Sequence, residues 1–104
     1  MKYTDAKNTI APRVPADELL AGLAEEAAEL SKAALKFRRA ITQKNPTPVT
    51  TNEAWAMLEE EVADTLLCMA VLGLIGEADG LSRRCEQMTQ LKIDRWSNRL
   101  GGSR

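Results

Sequence analysis

Hydrophobic residues between Leu19 and Ile41, and again between Ala54 and Ile75, recur at the three- and four-residue spacing of an amphipathic helix. With Glu26 set at zero on a helical projection, Leu19 and Phe37 fall at roughly +20°, Leu30 at roughly +40°, and Leu23 and Ile41 at roughly +60°. Glu26 thus stands inside an apolar stripe, and Glu29 lies on its edge at roughly −60°. The second helix repeats the pattern. With Glu61 at zero, Ala54 and Leu72 fall at about +20°, Cys68 at about −20°, Met57 and Ile75 at about −40° and Asp64 at about −60°.

Punctuation along the chain divides it into elements. Met1 to Val14 shows no clear period and reads as an N-terminal arm or loop, with residues 1–15 outside the main domain. Pro15 marks the entry to a first long helix running from about Ala16 to Ala40 or Ile41. Asp17 and Glu18 fill its first turn, and Lys36, Arg38 and Arg39 its last. The polar connection Thr42 to Asn52 contains two prolines. Thr50 followed by Glu53 forms a capping box that starts a second helix near Asn52. Gly73, Gly76 and Gly80 mark a break, and a third helix is predicted from Leu81 to about Arg99, with Gly101 as terminator. Residues 16–100 make one all-α domain, and 101–104 a disordered tail. No alternating strand pattern or internal repeat is present. Leu20, Ala27 and Ala34 on one helix, and Trp55, Leu66, Met69, Val71 and Leu74 on the other, leave more apolar surface than three helices bury. The expectation is an antiparallel bundle completed by oligomerisation, as a dimer or tetramer.

Composition narrows the chemistry. Four inward or edge carboxylates, paired at i and i+3, repel one another and lose hydration together unless a cation joins them. The 104 residues include no histidine and only two cysteines, without metal-like spacing. The ligand set is therefore all oxygen, which favours Mg²⁺, with Mn²⁺ a substitute and Ca²⁺ a competitor, over zinc or copper. A formal net charge of −1 gives no electrostatic case for nucleic acid or a membrane surface, and the apolar run Leu66 to Ile75 is too short to span a bilayer. With no apolar leader in Met1 to Val14 and reduced thiols, the expected location is the cytoplasm.

Glu25-Glu26-x-x-Glu29 followed by Glu61-x-x-Asp64 resembles the EExxE…ExxD signature of the MazG-like nucleotide pyrophosphohydrolases, the all-α NTP pyrophosphatase superfamily. The likeness covers the first two long helices, about half the chain, and extends to Ala28-Glu29-Leu30 and Ala63-Asp64-Thr65-Leu66-Leu67. It implies magnesium-dependent cleavage of a nucleoside triphosphate between the α and β phosphates, with Glu26, Glu29, Glu61 and Asp64 as metal ligands. Glu26 and Glu29 are the better choices for taking the proton from the attacking water. Lys36 and Arg39 on the first helix, and Lys92 and Arg95 on the third, are the candidates for holding the triphosphate. Trp55 or Trp96 offers a ring for a base, although core or interface packing is the commoner use of tryptophan. The competing reading is a non-catalytic helical oligomerisation or regulatory module with a structural cation site.

Overall fold

The computed structural model describes residues 3–42, 49–75 and 80–101, and these residues are helical throughout apart from short turns. Four helices follow one another: α1 (Tyr3–Ile10), α2 (Ala16–Thr42), α3 (Thr51–Val71) and α4 (Arg83–Arg99), with a 3-10 turn at Ala11–Arg13. Among the described residues there is no strand, only an isolated bridge between Ile75 and Leu81. No helix among them is long and apolar enough to cross a membrane.

The helix ends follow from local chemistry. Pro15 has no N–H to lose, and its carbonyl accepts from the amides of Glu18 and Leu19 to open α2. At the start of α3, Thr50 Oγ1 accepts from the Glu53 amide at 3.1 Å, and Glu53 Oε1 accepts from the Thr50 amide at 2.9 Å. This reciprocal pair is the capping box read from the sequence. At the far end of α3, Gly73 adopts φ +84°, its amide donates to the Ala70 carbonyl, and the Leu74 amide donates to Met69. The two bonds form a Schellman stop, which needs a residue content in the left-handed region. Gly101 ends α4 with φ +73°. The central part of the proline-containing connection, 43–48, together with 76–79 and the tail 102–104, lies outside the described residues.

α2 and α3 form an antiparallel hairpin. Ala33 and Ala40 on α2 and Ala54 and Thr65 on α3 are buried, and these small side chains let the helix axes approach closely. Phe37 and Trp55 close the loop end of the hairpin with ring centroids 5.1 Å apart, tilted at 57°.

Contrary to the expectation of an irregular arm, residues 3–10 form a helix that packs on α3. Tyr3, Ala6 and Ile10 share one face, Ala6 is buried, and eight residues are too few for three such positions to declare a period on their own. α3 carries no basic residue in its last turn. Lys7 from α1 compensates, because its ammonium lies beside Gly73, where the exposed carbonyls of the α3 terminus concentrate partial negative charge.

α4 starts two residues later than predicted and stands away from the hairpin, burying none of its residues. The Cα radius of gyration, 16.7 Å, exceeds the roughly 13 Å of a compact chain of this length.

Candidate metal centre and its cleft

Glu26, Glu61 and Asp64 come together across the α2–α3 hairpin, each offering a carboxylate oxygen within 4.8 Å of the others. Glu26 and Glu61 are half-buried and Asp64 is exposed, so the cluster has a floor and an open side. The i, i+3 spacing of Glu61 and Asp64 puts both on one face of α3, and antiparallel packing brings Glu26 opposite them.

The floor is electrostatically unsettled. Among the described residues, Oε2 of Glu61 is buried without a hydrogen-bond partner. Loss of hydration pushes the Glu61 carboxyl above the ordinary glutamate range, and Asp64, Glu26, Glu29 and Glu60 push it further in the same direction. The Cys68 thiol, one turn beyond Asp64 on α3, is also raised, first by burial and then by Glu26 and Asp64. It therefore stays a neutral packing group rather than a thiolate ligand. An orphaned buried carboxylate oxygen beside two further carboxylates suits a hard divalent cation, and an all-oxygen donor set suits magnesium or manganese.

Thr65 ties the two carriers together. Its buried hydroxyl lies 2.8 Å from the Glu61 carbonyl oxygen on its own helix and 3.4 Å from the Glu26 carbonyl oxygen on α2. This residue went unnoticed in the sequence as more than a neighbour of Asp64. A polar residue at a core position of α3 was the signal that marked it.

Glu29 stands apart from the trio. It is exposed and pairs with Lys32 at 3.4 Å, so it forms the rim of the site rather than its floor. From there a cleft of about 310 Å³ runs along the hairpin, lined by Glu29, Lys32, Lys36, Arg39, Met57 and Glu61. Lys36 and Arg39 thus line the same cavity as Glu29 and Glu61. Both are half-buried, so their positions are held by packing of their stems rather than left to solvent.

The other two predicted phosphate contacts fall elsewhere. Lys92 and Arg95 line a separate open pocket with Asn98 and Arg99, all on α4, and this chain alone does not bring them to the acid cluster. The reason is the departure of α4 from the hairpin. Trp96, on the same helix, is 63% exposed and Trp55 packs against Phe37, so neither ring stands over the cleft lined by the acids.

No family model, curated protein or solved structure matches the chain.

Proposed function

We propose that the protein is a magnesium-dependent nucleotide pyrophosphohydrolase of MazG-like type, converting a nucleoside triphosphate to monophosphate and pyrophosphate. The observation that carries this reading is that Glu61, which meets Glu26 and Asp64, lines one cleft together with Glu29, Lys36 and Arg39. Anionic ligands for a cation and fixed cations for phosphate oxygens then lie in one cavity, which is the arrangement that phosphoanhydride chemistry needs.

Glu26, Glu61 and Asp64 would hold the cation, with Glu29 at the rim joining them once its weak, exposed pair with Lys32 is broken. When bound, Mg²⁺ supplies charge neutralisation for the bridging phosphate oxygens and for the leaving pyrophosphate. Lys36 and Arg39 bind the outer phosphates and fix the chain of anhydrides along the cleft. Glu26 or Glu29 accepts the proton of the attacking water as the general base. The working form is a homo-oligomer, a reading supported by the twelve large hydrophobic residues left exposed among the described residues.

The test is product analysis on a panel of ribo- and deoxyribonucleoside triphosphates with magnesium, separating pyrophosphate from orthophosphate. Pyrophosphate with monophosphate supports the reading, and orthophosphate with diphosphate overturns it.

A further inference from the structure

α4 changes character at its midpoint. Cys85, Met88 and Thr89 in its first half are half-buried, whereas from Leu91 to Leu100 every residue except Ser97 is exposed. That second half nevertheless carries three large apolar side chains on one face. Ile93, Trp96 and Leu100 are 51%, 63% and 75% exposed. With Trp96 at zero on a helical projection, Ile93 and Leu100 fall at roughly +60° and +40°.

Each of the three is preceded by a cation: Lys92 before Ile93, Arg95 before Trp96 and Arg99 before Leu100. The cations therefore form a second stripe beside the first, at roughly −40° to −100°. With Asn98 they line an open pocket of about 510 Å³. Asp94, the one acid between Leu91 and Leu100, falls at roughly 160°, on the far side, where it accepts from Gln90 at 3.3 Å.

An apolar stripe left in water is unfavourable, and cations three and four residues apart repel one another. The two stripes suit a surface that is apolar in its depth and anionic at its boundary. An anionic phospholipid layer has this order. The tryptophan ring belongs at headgroup level, and the stems of Lys and Arg lie over apolar ground while their charged ends reach phosphate. The whole-chain charge of −1 conceals this segregation, because α4 itself carries five cations against two acids. Only charge within about a Debye length of the lipid counts in such a contact. A nucleic-acid strand would use the cations and the ring of Trp96 but leave Ile93 and Leu100 in water. A lipid surface matches both stripes.

We propose that the second half of α4 docks the protein on an anionic membrane surface, with Ile93, Trp96 and Leu100 entering the headgroup boundary and Lys92, Arg95 and Arg99 meeting lipid phosphates. The segment lies along the interface, being far too short to cross it. None of these six residues lines the cleft that holds Glu61, Lys36 and Arg39, so docking and the catalytic reading stand or fall separately.

Vesicle flotation of the full chain tests the surface, with neutral phosphatidylcholine set against a two-to-one mixture of phosphatidylcholine and phosphatidylglycerol. The chain is expected to float with the anionic vesicles at low salt and to be released at high salt. K92Q/R95Q/R99Q should lower the partitioning on the order of 100-fold, at about fivefold per cation, and I93S/W96S/L100S should abolish it. Tryptophan emission locates the contact. The wild type should shift to the blue on anionic vesicles, and W96F, which keeps only Trp55, should not. Should a triple variant lose its helical circular dichroism, W96F decides. Failure to float, equal flotation on neutral vesicles, or a blue shift that persists in W96F would each overturn the proposal. Binding of a single-stranded oligonucleotide in place of vesicles, unaffected by I93S/W96S/L100S, would assign the face to nucleic acid and overturn it as well.

Discussion

The hydroxyl of Thr65 reaches from α3 to within 3.4 Å of the Glu26 carbonyl oxygen on α2, while lying 2.8 Å from the carbonyl of Glu61. Two of the three clustered acids therefore have their backbones spanned by one buried side chain. Thr65→Val keeps the shape and removes the hydroxyl. We expect a loss of about 1 kcal/mol in stability, typical of one hydrogen bond, measured by urea unfolding without added metal. The same variant should bind magnesium more weakly, because the α2–α3 offset that sets the distance between Glu26 and Glu61 is less well defined.

Glu61→Gln separates charge from shape. The amide removes the carboxylate that Asp64, Glu26, Glu29 and Glu60 all repel. Its melting temperature in chelator should equal or exceed that of the wild type, whereas the rise that magnesium produces in the wild type should vanish. A wild-type rise that survives in the variant would remove Glu61 from the ligand set.

The same group gives the chain a characteristic pH dependence. The folded-state pKa of Glu61 lies above its ordinary value of 4.5, so its contribution favours folding below that value and fades as pH rises through the elevated one. Glu53 runs the other way. Its hydrogen bonds to Thr50 hold the carboxyl low, so its contribution is present above pH 4.5 and is lost as pH falls through the depressed value. Metal binding needs Glu61 ionised, so the stabilisation by magnesium should grow with pH over the window in which the metal-free chain weakens. Thermal melts between pH 4 and 8, with magnesium and with chelator, read both slopes.

Lys36→Ala and Arg39→Ala address the phosphate wall of the cleft. Each should raise KM for a triphosphate by about tenfold or more, as expected for a lost charge-assisted contact, while leaving magnesium binding to the free protein almost unchanged. K92A and R95A should alter KM only if α4 reaches the cleft of another copy, since in one chain it lines a different pocket.

Gly73→Ala tests the packing of α1. The position has φ +84°, and an added Cβ would lie 3.2 Å from the Lys7 Nζ. A cost of about 1–2 kcal/mol follows from the left-handed backbone, and displacing Lys7 from the end of α3 adds to it. Urea denaturation should show the loss, with K7A/G73A falling short of the sum of its single variants because the two residues touch.

Much of this architecture could be read in advance because it is locally encoded. The Thr50–Glu53 box, the Gly73 stop and the two carboxylates that break an apolar stripe on each long helix announce themselves within a few turns. Glu29 was harder to place. At the edge of the stripe, a rotation of a few degrees separates a floor ligand from a rim residue paired with Lys32. The helix at Tyr3–Ile10 was missed because its stability comes from burying Ala6 against α3, a tertiary contact with no local signature. Lys92 and Arg95 were named as triphosphate contacts from their place on the last helix and a loose likeness of Lys92-x-x-Arg95 to a family pattern there. No periodicity within α4 encodes the direction in which that helix leaves the hairpin.

The central claim is tested most directly by running the product assay on wild type and E61Q side by side, with magnesium and with chelator. The account predicts monophosphate and pyrophosphate from the wild type with magnesium, no turnover in chelator, and none from E61Q despite an unchanged helical spectrum. Full turnover by E61Q, or no hydrolysis of any triphosphate by a wild type that binds magnesium, would contradict it.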